Sequence, residues 1–141
     1  MKTYKRFANE LAQLILDDHA VIITNEPYMP LSIEDVGTSA DGNQLIALSH
    51  TGQQNGDLMR DPEILFELHK WDTGETFAEP INFRNDYSGL MQEAYLYDEE
   101  GHKTHVKPSI KRDLKSFTHT WFANLREQGF FKANAGRRVL S

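Results

Sequence analysis

Cysteine is absent from this 141-residue chain. Disulfides, thiolate zinc sites, iron–sulfur clusters and cysteine nucleophiles are therefore excluded, and any metal would need histidine and carboxylate ligands. Long apolar runs are missing too. Nothing approaches the roughly 20 consecutive apolar residues that cross a bilayer. The amino-terminal "MKTYKRFANELAQLILDDHA" is broken by Asn9, Glu10 and Gln13, unlike the apolar centre of a secretory signal. The expectation is a soluble, cytoplasmic protein without membrane contact. The nine glycines form neither G-x-G-x-x-G nor a P-loop, and there is no G-x-S-x-G elbow or S-x-x-K. No cofactor is expected.

What the chain does have is bulk and charge. Apolar residues make up 39% and aromatics 11%, which is too much large side chain for a disordered segment and enough for one core in one domain. The net charge of −6 is unevenly spread: −15 over residues 17–101, +2 before them and +7 after them. An acidic body argues against a dedicated DNA binder, while a basic end could meet an anionic partner; the partner is unknown and could be another protein. Nothing in the sequence sets an oligomeric state.

Periodicity gives the fold class. Phe7, Leu11, Leu14 and Ile15 mark a helix over residues 1–16. β-Branched "AVIIT", alternating "YMPLSIEDVG", "NQLIALSH", "PEILFELHK", "TFAEPINFR" and "LMQEAYLYD", and a short "KTHV" predict a sheet within residues 20–106. Asp41-Gly42 signals a hairpin between the second and third of these. Ile110, Leu114, Phe117, Trp121, Phe122 and Leu125 form the stripe of a helix over 109–128, with Ser109 as its expected cap and Gly129 past its end. Residues 130–141 read as a mobile tail. The expectation is an α+β domain: a mainly antiparallel sheet of five to seven strands, flanked by an N-terminal helix and a long C-terminal helix packed on one face.

Chemistry is concentrated in "SHTGQQNGDLMRDPEILFEL", Ser49 to Leu68. Asn55-Gly56 tolerates positive φ, Asp57 suits an Asx-turn and Asp61-Pro62 restarts an extended chain, so the stretch is first a connection between strands. Gln53, Gln54, Asn55, Asp57, Asp61 and Glu63, with Gln92 and Glu93, are its candidate binding surface, beside Asn85 and Asp86. His50, Asp57, Asp61 and Glu63 could instead hold a hard cation or act as acid and base, although the spacing is not that of a calcium loop. His69, Glu63 and Glu67 point outward from their strand, and His119 points off its helix stripe. Lys111, Lys115, Arg126, Arg137 and Arg138 are the candidates for nucleic-acid contact.

Three blocks, "EPYMPLSIEDVG", "LIALSHTGQQNGDLMRDPEILFEL" and "INFRNDYSGLMQEAYLYDEEG", carry a resemblance. In order they are similar to the "PYM-L-IE", "QNGD-M-DPE" and "QE-Y" blocks of an uncharacterised family of small bacterial proteins common in plasmids, integrative elements and phages. The match runs from Pro27 to Gly101 and rests on Gln54 to Asp57, Asp61 to Glu63 and Gln92-Glu93. It departs at Gln53, where an acid is usual, and at Ala94, where a larger aliphatic is. The resemblance implies no activity, only a setting: an accessory protein of mobile DNA or its host.

Overall fold

The computed structural model describes residues 2–140. Helix α1 (Lys2–Ile15) is followed by β1 (Ala20–Thr24), β2 (Leu31–Thr38), β3 (Gln44–Gln54), β4 (Asp57–Lys70), β5 (Thr76–Asn85) and β6 (Leu90–Glu93). Then come β7 (Tyr95–Tyr97), β8 (Lys103–Val106), α2 (Pro108–Glu127) and β9 (Gly136–Leu140). Seven strands form one antiparallel sheet in the order β6-β5-β4-β3-β2-β1-β9, and β7 and β8 form a separate hairpin. This is the expected α+β class, with both helices on one face of the sheet.

Alternation along the strands decides that face. Val21, Ile33, Leu48 and Ile64 are successive cross-strand partners and each is fully buried. Against them α1 sets Phe7, Leu11 and Leu14, and α2 sets Leu114, Trp121, Phe122 and Leu125. Phe7, Phe66 and Phe122 meet as a triangle with ring centroids 5.5 to 6.4 Å apart, joining both helices to β4. Each such side chain contributes about 1.5–3 kcal/mol by leaving water.

Both prolines inside the strands sit at bulges, where the ladder needs no amide donor. Between the pairs Ser49–Glu63 and Thr51–Arg60, the cis Asp61-Pro62 opposes the single residue His50. Between Leu65–Asn82 and Phe66–Pro80, Ile81 is the extra residue on β5. Bulges of this kind bend a sheet and re-aim its side chains.

Two expectations are corrected. Pro108 starts α2 and Lys107 is its cap residue, with no side-chain capping bond, so Ser109 is not the cap: proline at the first helical position moves the boundary back. The segment read as a mobile tail is ordered as well. Phe130 is buried in the core, and residues 136–140 pair with β1 as edge strand β9. Arg137 fastens that strand by donating to the carbonyls of Leu14 (2.6 Å) and Ile15 (3.0 Å) at the open end of α1, and to Asp18 (2.9 Å). Gly129, at φ +84°, terminates α2 as expected.

Candidate functional site

The stretch that looked most like a loop is a long hairpin. Gln54 pairs with Asp57, and Asn55 (φ 54°) and Gly56 (φ 85°) form a two-residue turn in the left-handed region. Gln53, Gln54, Asn55 and Asp57 are exposed at its tip. Asp61 and Glu63 lie further down β4, with Glu63 about 20 Å from Asp57 at strand rise. Their carboxylates are engaged. Asp61 Oδ1 accepts from Asn85 Nδ2 (2.5 Å), and Glu63 pairs with Arg60 (3.0 Å). Asp86 accepts the Arg60 backbone amide (2.8 Å) and the Arg84 guanidinium (2.6 Å). This network stitches β4 to the β5–β6 turn.

His50 faces the helices. Its ring lies 5.7 Å from Trp121 and 5.6 Å from Phe130, its Nδ1 meets the Met29 carbonyl at 3.1 Å, and burial lowers its pKa. His50, Asp57, Asp61 and Glu63 therefore do not come together. Gln92 pairs with Phe83, and Glu93 pairs with Asn82 on the opposite face. The basic candidates are mostly engaged within the chain: Arg126 with Glu10 (2.5 Å), Lys115 over the Tyr4 ring (5.5 Å), Arg137 at the end of α1, and Lys111 as described next. Arg138 is exposed on β9.

Ionisable groups converge instead on the outer face of the sheet. Glu67 and Glu79 are direct cross-strand partners on β4 and β5, and both are buried. Like charges so placed repel, and the fold answers each with a cation. Lys103, on β8, binds Glu67, which also accepts from Asn43 Nδ2 (3.2 Å). Lys111, from the start of α2, lies 3.3 Å from Glu79 and donates to the Tyr95 hydroxyl (3.1 Å), which itself donates to Glu79. Both ammoniums also face the Tyr95 ring, at 4.6 and 5.6 Å. His69 Nε2 sits 3.6 Å from Glu67 and 3.5 Å from Glu79, buried and without a hydrogen-bond partner of its own.

The pKa values follow from this arrangement. Burial works to raise Glu79, but His69, the Tyr95 hydroxyl and Lys111 outweigh it and bring the carboxyl from 4.5 down to about 2. Burial likewise works to raise Glu67, but the bonds from Lys103 and Asn43 outweigh it, and the carboxyl ends below its usual value. Burial, then the bond to Glu79, pushes Tyr95 far up, so it remains a neutral donor.

Among the described residues, Glu67, His69 and Glu79 are the group whose ligand atoms lie close enough, within 4.8 Å of one another, to hold a metal ion. Their donor types suit zinc or manganese. Yet two partly exposed ammoniums already balance the two carboxylates, so a divalent ion would have to displace both of them. Sequence reading placed Glu67 and His69 outward with solvated Glu63, because period two shows which face a residue takes and not what covers it. The available signal was Glu79, an acid between Ala78 and Pro80 in the otherwise apolar run Phe77 to Ile81.

Beside this cluster lies a cavity of about 210 Å³, between the outer face and the β7–β8 hairpin. Leu45, Leu65 and Ile81 form apolar walls, Tyr97 lines one side, and Glu67, Lys103, Asp41 and Asn82 supply polar groups. Asn82 Oδ1 is itself closed to the space and has no hydrogen-bond partner. Of the candidate binding-surface residues, none lines it; Glu93 comes nearest in the ladder, as the cross-strand partner of Asn82.

No curated protein and no solved structure matches the chain. A family model does, over residues 2–131, and through it the chain belongs to the domain of unknown function DUF6908.

Proposed function

We propose that this is a non-catalytic accessory protein, bacterial and cytoplasmic, that works by binding, with the cavity beneath the β7–β8 hairpin as its binding site. The observation behind this reading is the state of the convergent cluster. General acid–base catalysis needs a carboxylate or imidazole free to meet a substrate; here Glu67 and Glu79 are each bound to a lysine, the His69 Nε2 is buried between them, and the space left beside them has apolar walls. Such a pocket, with few polar groups on a rigid sheet, suits recognition. The setting in mobile DNA or its host is supported by the order of the three sequence blocks.

The test is a fragment screen followed by backbone NMR on the whole chain. Fragments that shift Leu45, Leu65, Asn82 and Tyr97 together, and lose their effect when Leu65→Trp fills the cavity, support the reading. If no fragment perturbs those resonances, it is rejected. A parallel thermal-shift series with Mg²⁺, Mn²⁺ and Zn²⁺ addresses the enzymatic alternative: stabilisation by micromolar metal that disappears in Glu79→Gln would favour a metal-dependent activity instead.

A further inference from the structure

We propose that the two turns meeting over the cavity, residues 39–43 between β2 and β3 and residues 98–102 between β7 and β8, are its gate, latched by Asp41 and His102 and loosened as the solution passes from weakly acidic to weakly alkaline. The proposal rests on the cavity-binding reading and adds how entry to that site is regulated.

The way the hairpin is held leaves its turn as the part that can move. β7 and β8 form a two-stranded sheet of their own, so no ladder ties them to the main sheet, and a lone hairpin has little stability by itself. Its base is anchored: the Ala94 amide donates to the Ile81 carbonyl (2.8 Å) and the Lys107 amide to the Ala94 carbonyl (2.7 Å). Along the hairpin Tyr95 donates to Glu79 and Lys103 to Glu67. Beyond Lys103 the chain crosses the cavity, which Tyr97 and Gly101 line from the hairpin and Leu45, Leu65 and Ile81 from the sheet. It then meets the β2–β3 turn. His102 Nδ1 lies 2.8 Å from Asp41 Oδ1, and Gly101 is so near Ala40 that a Cβ added to it would meet the Ala40 Cβ at 3.3 Å.

Each turn is braced internally. In one, the Ser39 amide donates to the Asn43 carbonyl (2.7 Å) and the Asn43 amide to the Ser39 hydroxyl (3.2 Å). In the other, Asp98 accepts the amides of Glu100 (3.0 Å) and His102 (2.9 Å), and its own amide donates to the His102 carbonyl (2.9 Å). Two stiff turns separate as units, so the contact between them is what gives.

That contact carries a group that titrates near neutrality. The charges facing His102 are Asp41 from the β2–β3 turn and Asp98 from its own turn; Glu99 and Glu100 are exposed in the same turn, and Lys103 is turned to Glu67. The bond to Asp41 raises the imidazole above its ordinary 6.5, desolvation works against the rise, and the charges of Asp41 and Asp98 add to it. The latch is thus fully charged below pH 6.5 and loses its positive partner as pH climbs through the raised value. The other imidazoles nearby are elsewhere: His105 bonds the Thr104 hydroxyl (3.1 Å), and His69 lies at Glu67 and Glu79. Both latch side chains are partly exposed, 40% for Asp41 and 44% for His102, so solvent screens the pair and the gate is tuned rather than locked.

The chain has no cysteine, so a single one placed at Ile81, buried in the cavity lining, reports opening through its rate of reaction with 4,4′-dithiodipyridine in the whole protein. At each pH from about 5.5 to 8.5, the rate of Ile81→Cys is compared with that of Ile81→Cys/His102→Gln, a ratio in which the thiol's own ionisation cancels. Expected is reaction about 2- to 5-fold faster with His102→Gln at the acidic end, the worth of one exposed ion pair, with the two rates converging at the alkaline end. Asp41→Asn in place of His102→Gln should follow the same course. Ala8→Cys, buried on α1, marks unfolding of the whole chain and should react at least about 10-fold more slowly. If Ile81→Cys does not fold, Leu45→Cys, which lines the same space, takes its place. A ratio that stays constant with pH, or Ala8→Cys reacting as fast as the cavity thiol, overturns the gate and leaves the cavity-binding reading to the fragment screen. Converging rates with no fragment bound at either end of the range reject the site and, with it, the gate's role in regulating entry.

Discussion

Replacing Lys103 with methionine isolates what neutralisation of the buried acids is worth. The Glu67 side chain is 1% exposed and that of Lys103 23%, so this pair is far less screened than Arg60–Glu63, whose side chains are 33% and 25% exposed. At a contact distance of about 3 Å and an effective dielectric near 20, the attraction is ~5 kcal/mol before desolvation is charged against it. Breaking a buried pair by removing one partner costs about 3–5 kcal/mol because the other charge is left uncompensated. Glu67 keeps its bond from Asn43 (3.2 Å) in the variant, and Lys103 retains some water in the native protein. The expected loss for Lys103→Met is therefore somewhat smaller, about 2–3 kcal/mol, or a melting temperature lower by about 6–12 °C for a domain of this size. Urea unfolding followed by circular dichroism measures it. The companion double variant Glu67→Leu/Lys103→Met should recover most of the loss, since an apolar pair removes both charges. A loss below about 0.5 kcal/mol, the level of exposed ion pairs, or additivity in the double variant would refute the account of a clamped, charge-balanced cluster.

Acid titration reads the same cluster through Glu79. Its carboxyl is depressed from 4.5 to about 2, so the stability it contributes is fully present above pH 4.5 and drains away as pH falls towards 2. The difference in urea midpoint between the native protein and Glu79→Gln should shrink between pH 5 and 2.5; a constant difference would show that ionisation is not what matters. At the hairpin tip, Gly56 has φ +85° and open space around its missing Cβ, so Gly56→Ala should cost about 1 kcal/mol in strain alone. Gln53→Ala and Gln54→Ala should each change stability by less than about 0.5 kcal/mol, as surface substitutions do, with denaturation curves as the check. Deleting residues 136–141 should strip amide-exchange protection from those amides of Ala20 to Thr24 that face β9, while those facing β2 keep theirs; unchanged protection throughout would mean that the pairing is not maintained in solution.

Much of the architecture was legible because it is written in short-range terms. Phe7, Leu11 and Leu14 recur at helical spacing, Leu31 and Ile33 alternate with Ser32 and Glu34, and Asn55-Gly56 and Asp41-Gly42 carry turn chemistry. Each constrains backbone angles within a few residues, so a linear reading captures it. The candidate site was much less legible. Asp57, Asp61 and Glu63 are neighbours in sequence, yet an extended chain separates them by about 3.3 Å per residue, and the latter two are engaged with Asn85 and Arg60.

By itself, then, the sequence determined the helices, the alternating strands, their tight turns and the face each residue takes, since these follow from local sterics and periodicity. Tertiary structure alone decided what lies on each face. The β7–β8 hairpin covers the outer side of β4 and turns an expected solvated acid, Glu67, into a buried one held by a lysine 36 residues away. It also leaves the cavity beside Asn82, whose walls come from β3, β4, β5, β7, β8 and the turns between strands. The terminal strand β9 is long-range in the same sense, since β1, its partner, begins 116 residues earlier. Burial and charge pairing depend on which distant segments are folded against one another, and no local pattern encodes that choice.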